Sequence, residues 1–236
     1  MGGFEKKIIK FWRYFYENGG YNDVLLGLKN TLLIAIIGLV IGIVIGILIA
    51  AVRVMPKEKK STGVLNSICD IYVSFFRGTP MVVQLLLAYY VLLPLLGINL
   101  SSLVVSIVVF GLNSGAYVSE IMRSGIQSID PGQMEAGRAL GLNFVTTMTK
   151  IIVPQAIKNI LPTLGNEFIV LVKETSIVSF VGTADLYKAF NDMGTNSYEF
   201  MVPYIVMALI YIVLVLAITI MVKALERRLG KSDRRN

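Results

Sequence analysis

The 236-residue sequence contains no histidine and only one cysteine, Cys69. Without histidine there is no Ser-His-Asp or Cys-His catalysis, and most zinc sites are excluded with it. A lone cysteine leaves no partner for an internal disulfide framework. Charge is also scarce. Asp, Glu, Lys and Arg make up 16 % of the chain, against about a quarter in an ordinary soluble domain, so a soluble globular protein is not expected. Disorder is excluded by the 55 % apolar content, because disordered chains combine low hydrophobicity with high charge. The phosphate-binding loop G-x-x-x-x-G-K-[ST] is missing. Gly230-Lys231-Ser232 imitates its end, but Leu225 stands where the first glycine belongs. What remains is a membrane protein with mean hydropathy +0.71 and net charge +7.

A membrane-spanning helix needs roughly 20 mostly apolar residues. Thr31–Val52 and Phe200–Val222 carry no charge; Met81–Ile98 is apolar apart from Gln84; Leu100–Met122 holds Asn113 and Glu120; Ile151–Val172 holds Lys158 and Glu167. These segments predict five transmembrane helices in an all-α polytopic protein. The first starts too far from Met1, and is too long, to be a signal-peptide core, and is expected to be retained.

Orientation follows the basic residues of short loops. Arg53, Lys57, Lys59 and Lys60 follow span one; Arg123, Arg138 and Lys150 lie between spans three and four; Lys223, Arg227, Arg228, Lys231, Arg234 and Arg235 follow span five. These regions are expected in the cytoplasm. The uncharged loop Pro94–Ser102 and the mostly acidic stretch Glu174–Glu199 are expected outside. An odd number of spans then places the N-terminus outside and the C-terminus inside, although Lys6, Lys7, Lys10 and Arg13 run against that bias. Beside those cations Phe4, Ile8, Phe11, Trp12 and Phe15 recur at helical spacing, which predicts an amphipathic interfacial anchor over residues 1–25. A membrane-spanning domain over 26–228 and a basic tail over 229–236 complete the organisation. Val64–Phe76 is read as an entry helix at the cytoplasmic interface that bends at Pro80. Gly38, Gly42 and Gly46 repeat every four residues, as do Gly111 and Gly115, which predicts close helix packing within the chain.

The cytoplasmic loop, about 124–150, is heavily punctuated. Asp130 is placed to cap a helix, Pro131 suits its first position and Gln133 fits a capping box. Gly141 is placed to end that helix, and Asn143 to cap the next. A short helix, a glycine turn and a second helix follow from these signals. Ala136, Gly137 and Ala139 leave its surface low and smooth, suited to docking in a partner's groove. A solvated connector is the competing reading.

Glu135-Ala136-Gly137-Arg138-Ala139-Leu140-Gly141, followed by Ile152-Val153-Pro154-Gln155-Ala156, resembles the EAA loop of ABC importer permeases. Arg77-Gly78-Thr79-Pro80 with Gln84-Leu85 resembles the second-span signature of the polar amino acid branch. Gly115-Ala116-Tyr117, Glu120, Arg123 and Gly125-Ile126-Gln127-Ser128-Ile129 resemble its third span, and Lys173-Glu174-Thr175-Ser176 the segment after its fourth. The resemblance runs from span one to Arg228. Gly137 departs from it, since the family often has alanine there. The resemblance implies a type I (MetI-like) importer permease fold, pairing as a homo- or heterodimer in a bacterial inner membrane. It implies two ATPase subunits, which would carry the ATP and magnesium, and an extracytoplasmic substrate-binding protein. No cofactor is expected in this chain, and no nucleic acid partner. Glu135, Ala136, Gly137, Arg138, Ala139 and Gly141 would form the ATPase-coupling segment.

An ionisable group inside a span is costly and marks a functional site by default. Glu167 lies in span four, with Thr163, Asn166, Val170 and Glu174 on its helical face. It is expected to meet the cationic side chain or ammonium of an amino acid, which favours arginine, lysine or histidine; an ion pair with Lys158 or Lys173, or an interhelix hydrogen bond, is the alternative. Gln84, Thr79 and Asn113 are candidate substrate contacts with interhelical bonding as the competing role. Glu120 and Arg123 read as a structural ion pair. Outside, Thr183 is expected to cap a helix Ala184–Met193, with Asp185 and Leu186 in an outer gate or a docking surface for the binding protein, or in a lid that only seals the fold. Asp185, Asp192 and Glu199 are alternatively a solvated face. The rival function is an ion-gradient-driven secondary amino acid transporter, but the sequence shows no internal repeat of the kind such proteins carry.

Overall fold

The computed structural model describes residues 2–55 and 60–233; Lys57, Lys59, Arg234 and Arg235 lie outside the described residues. All regular elements among the described residues are helical. They are α1 (Gly3–Glu17), α2 (Gly20–Val54), α3 (Lys60–Gly78), α4 (Met81–Leu87), α5 (Leu93–Leu95), α6 (Ser102–Gln127), α7 (Pro131–Ala139), α8 (Phe144–Thr147), α9 (Val153–Glu174), α10 (Leu186–Ser197) and α11 (Met201–Asp233). Thr175–Val181 is a 3₁₀ segment, and Ala88–Leu92 and Met148–Ile152 are π turns. Each π turn stands just before a proline, Pro94 or Pro154. A proline lacks its N–H and clashes with the carbonyl four residues back, and a widened turn relieves that clash.

Among the described residues three helices are long and apolar enough to cross a membrane: Gly20–Val54, Ser102–Gln127 and Met201–Arg228. Helices Gly63–Gly78 and Met81–Leu95, interrupted at Thr79-Pro80, make a fourth if they are counted as one broken span. The break falls where the sequence places it. The α9 helix has 22 residues but is interrupted by Lys158, Pro162 and Glu167, and it is not among the qualifying helices.

The chain forms two compact units, whose boundaries fall inside α2, α6, α9 and α11 and at the Thr79-Pro80 break. Unit one comprises Met1–Gly38, Pro80–Gly111 and Val170–Ala217. Its core gathers Phe11, Val24, Leu186, Phe190, Met193 and Val202. The amphipathic α1, expected from sequence as an interfacial anchor, is packed into this core. It seats Phe11 against α10, while Lys7 Nζ pairs with Glu199 Oε2 at 3.1 Å and Asn196 Nδ2 donates to Tyr14 Oη at 2.8 Å. Full burial of one such phenylalanine is worth about 1.5–3 kcal/mol. The α2 helix begins at Gly20, well before the uncharged stretch that marks the span.

Unit two comprises Leu39–Thr79, Leu112–Ile169 and Ile218–Asn236. Ile49, Val73 and Ala116 form a core that Ile45, Cys69, Tyr72 and Phe76 cover. The glycine stripe of α2 works as expected from its spacing. A Cβ on Gly42 would stand 2.7 Å from Ser114 Cβ, and one on Gly46 would stand 2.9 Å from Val118 Cβ, so only glycine lets α2 and α6 approach this closely.

Candidate functional site

The loop over residues 124–150 lies wholly in unit two and is built as its caps require. Asp130 Oδ1 accepts from Gly132 N at 2.8 Å, with Pro131 at the first helical position. Gln133 turns to Gln155 Nε2 at 3.4 Å. Gly141 has φ +82°, its N–H donates to Arg138 O, and Leu142 N donates to Gly137 O. These paired bonds around a left-handed residue form a Schellman ending, which favours glycine because any Cβ is strained there. Asn143 Oδ1 then accepts from Thr146 N at 2.8 Å and opens α8.

Glu135, Ala136, Arg138, Ala139 and Gly141 are exposed, and Leu140 is 81 % exposed. Gly137 alone of the residues expected to couple to the ATPase is buried, facing α8. A Cβ there would lie 2.5 Å from Thr147 Cγ2. Thr147 is itself fully buried, and its hydroxyl donates to Asn143 O at 3.0 Å. The larger Thr147 therefore takes the space that an alanine at 137 would fill. Gly137→Ala is expected to cost about 1–3 kcal/mol through overpacking, and adding Thr147→Ser, which removes the clashing methyl, is expected to restore most of it. Thermal unfolding of the single and double variants checks this; equal stability of Gly137→Ala and the parent would contradict it.

The polar residues of the spans are placed less uniformly. Glu167 is buried, 8 % exposed, and accepts from Ser114 Oγ at 3.2 Å. The carboxyl thus makes an interhelix hydrogen bond to the residue that packs on Gly42. Thr163 and Asn166, one turn or less away, are exposed. Asn113 and Thr79 have backbone partners instead. Pro80 has no N–H to offer Phe76 O, and Asn113 Nδ2 donates to that carbonyl at 3.3 Å. Thr79 Oγ1 donates to Phe75 O at 2.8 Å. Both side chains stabilise the end of α3 at the break. Gln84 is buried in α4, in unit one.

The Glu120–Arg123 pair is part of a larger cluster. Arg123 Nη2 reaches Glu120 Oε2 at 2.7 Å, Arg77 Nη1 reaches it at 3.6 Å, and Arg53 Nη1 binds Glu120 Oε1. Arg53 Nη2 also pairs with Asp70 Oδ1 at 2.7 Å, and the Arg77 guanidinium lies 5.5 Å from the Tyr117 ring centre. One carboxylate thus ties the ends of α2, α3 and α6. Sequence spacing reveals the Arg123 pair, but not Arg53 or Arg77, which are brought in by tertiary packing.

The segment Glu174–Glu199 differs from its sequence reading. Asp185, not Thr183, caps α10: its oxygens accept from Tyr187 N at 3.0 Å and Lys188 N at 2.9 Å. Burial pushes its pKa up to about 6, against the pull of those donors. Leu186 is fully buried and its N–H donates to Thr31 Oγ1 at 3.2 Å. Neither residue faces solvent; they hold α10 in place. Nor do the acids of this segment form one solvated face, since Asp185 is buried, Glu199 pairs with Lys7 and Asp192 with Lys188. Unit one also carries a groove of about 570 Å³, bounded by Lys173, Ser176, Tyr187 and the face of α11 from Met207 to Leu216. None of the side chains that the sequence singles out for substrate lines it.

Comparison with known proteins agrees with this architecture. Residues 42–231 match the family described as binding-protein-dependent transport system inner membrane component. The chain is 45 % identical over 166 residues to the arginine transport system permease protein ArtQ of Bacillus subtilis, covering 70 % of this chain and 76 % of that one. It is 39 % identical over 205 residues to the putative glutamine transport system permease protein GlnP of Rickettsia bellii, covering 87 % and 90 %. Its fold matches a chain from the crystal structure of an amino acid ABC transporter with histidines, with TM-score 0.83, 38 % identity and coverage of 91 % and 98 %. A chain of the inward-facing MetNI methionine ABC transporter matches with TM-score 0.71 at 20 % identity, over 89 % and 95 %, and shares the fold. The chain therefore belongs to the inner-membrane components of binding-protein-dependent transport systems, as a non-catalytic permease subunit of an ABC transporter.

Proposed function

We propose that this permease imports polar amino acids, basic ones preferentially, by alternating access in a dimer served by two ATPase subunits and an extracytoplasmic binding protein. In this reading five helices cross the membrane, α9 among them, with the N-terminus outside and the C-terminus inside. The packing of α1 on α10, which lies between the last two spans, supports an outer N-terminus. The coupling surface is Glu135, Ala136, Arg138, Ala139 and Gly141, and Leu140 joins it as an exposed apolar anchor. Gly137 supports that surface from beneath, against Thr147.

The observation that carries the substrate reading is Glu167, an acid lodged inside an apolar helix with, among the described residues, only the neutral Ser114 hydroxyl as its hydrogen-bond partner. Nearby Thr163 and Asn166 are exposed and available as further contacts. The names of the relatives, which include arginine and glutamine systems, agree with a polar amino acid. Glu167→Gln keeps an acceptor for Ser114 but removes the charge. A charged hydrogen bond is worth about 1.5–3 kcal/mol, so the preference for arginine over glutamine is expected to fall roughly 10- to 100-fold. Competition uptake assays check this; unchanged transport and unchanged specificity would remove Glu167 from the ligand set.

A further inference from the structure

We propose that α1 binds anionic phospholipid headgroups through Lys6, Lys10 and Arg13, while Ile9, Trp12 and Tyr16 enter the acyl boundary beside them. The packing of α1 into unit one uses a single stripe of the helix, Phe11 with Ile8, Tyr14 and Phe15. Two further stripes face outward. Ile9, Trp12 and Tyr16 recur at three- and four-residue spacing and are 45 %, 46 % and 65 % exposed. Lys6, Lys10 and Arg13 recur at the same spacing, and all are exposed.

Contacts with α11 set the depth of the helix. Lys7 Nζ reaches Glu199 Oε2 at 3.1 Å and Met201 Sδ at 3.9 Å, where the uncharged run Phe200–Val222 begins. The helix therefore lies where hydrocarbon gives way to water, the level at which tryptophan and tyrosine concentrate and lipid phosphates stand. The two outward stripes then meet two parts of the same lipid, the apolar one its chains and the basic one its headgroup. Lys6 and Lys10 stand one turn apart, where like charges repel, and among the described residues neither has an ion-pair partner. Arg13 pairs only loosely with Glu17, at 3.6 Å and well exposed. Glu5, the other acid of α1, is turned to the helix start and accepts from Gly2 N at 3.1 Å. A shared phosphate removes the repulsion between the lysines, and it is the anion that a bilayer supplies at this depth. In the proposed topology these cations also lie outside, against the bias of basic residues for the cytoplasm, and headgroup binding gives them a role there. The contact with lipid depends neither on that orientation nor on the substrate.

Trp12 is the single tryptophan of the chain and stacks on Tyr16, so its fluorescence reports on this face directly. The test places the full-length permease in phosphatidylethanolamine vesicles that hold equal minor amounts of phosphatidylglycerol and phosphatidylcholine. Bromine, a contact quencher, is carried on the acyl chains of one or the other. Brominated phosphatidylglycerol is expected to quench Trp12 roughly 2- to 4-fold more than brominated phosphatidylcholine, because the basic stripe enriches the anionic lipid. Replacing all three cations, Lys6→Gln with Lys10→Gln and Arg13→Gln, is expected to abolish the difference while phosphatidylcholine still quenches. The charge-preserving set Lys6→Arg, Lys10→Arg and Arg13→Lys is expected to keep it. At about 0.5 M salt, where screening acts within a few ångströms, the difference is expected to narrow. Equal quenching by the two lipids in the parent would overturn the proposal and leave α1 an anchor without headgroup preference. Quenching by neither would also overturn it, and the face would then belong to a soluble partner. A glutamine variant that keeps the full difference would overturn it too, since other groups would be drawing the anionic lipid. Thermal unfolding of the variants beside the parent separates lost lipid contact from lost folding. Every one of these outcomes leaves the proposed transport activity intact.

Discussion

Replacing Glu120 with alanine is expected to destabilise the permease by about 3 kcal/mol and to lower its unfolding temperature markedly. Removing one partner of a buried ion pair costs roughly 3–5 kcal/mol, because the other charge is left buried and uncompensated. Here one carboxylate serves three guanidinium groups, those of Arg53, Arg77 and Arg123. The Glu120 and Arg53 side chains are only 16 % and 17 % exposed, so solvent compensates them poorly, and the partial exposure of Arg77 and Arg123 places the cost at the lower end of that range. Arg53 retains Asp70 in the variant; among the described residues Arg123 retains only Gln127. Because the cluster joins α2, α3 and α6, its loss loosens unit two as a whole. Arg123→Ala in the Glu120→Ala background is expected to recover part of the stability by removing a stranded cation. Unfolding of purified protein in detergent measures both. A Glu120→Ala variant as stable as the parent would show that the cluster contributes nothing.

Leu140→Asp is expected to abolish stable association with the ATPase while leaving the permease itself folded. At 81 % exposure the side chain contributes almost nothing to the fold, and its only cost is to hold an apolar surface in water. It caps the C-terminus of α7, beside the Gly141 turn, so the backbone fixes where it points. An apolar anchor entering a partner's groove is worth about 2 kcal/mol or more when truncated. A charge in that groove costs further, since it is desolvated without a partner. Affinity is expected to drop by a factor of at least 30, read by co-purification and by loss of transport-coupled ATP hydrolysis. Undiminished assembly and coupling in Leu140→Asp would remove this loop face from the interface.

The parts of the molecule written in short-range chemistry were legible from the sequence. Asp130, Asn143 and Gly141 each need only residues within a turn of themselves to act, and each caps or ends its helix as its residue type dictates. The break at Pro80 follows from a missing N–H, and the glycine stripe follows from helical spacing. What was not legible depends on groups far apart in the chain. Asn113 looks like a ligand in isolation, and only the structure brings it to the carbonyl that Pro80 leaves open 37 residues away. Glu120 gains Arg53 from 67 residues away. Thr183 and Asp185 are both acceptable caps by residue type, and the choice between them falls to Asp185, whose two oxygens reach two N–H groups at once. Burial likewise separates Glu167 from its exposed neighbours Thr163 and Asn166, which periodicity alone places on one polar face.

The central claim is that this chain is a conduit for amino acids whose energy comes from ATP hydrolysed on another subunit. Its most direct test is uptake of radiolabelled arginine into proteoliposomes that contain the permease with its ATPase, with ATP on the ATPase side and the binding protein on the other. The account predicts uptake that requires ATP and binding protein together, stops when the ATPase is inactivated, and persists after ion gradients are collapsed. Uptake that proceeds without ATP and follows an imposed sodium or proton gradient would contradict it.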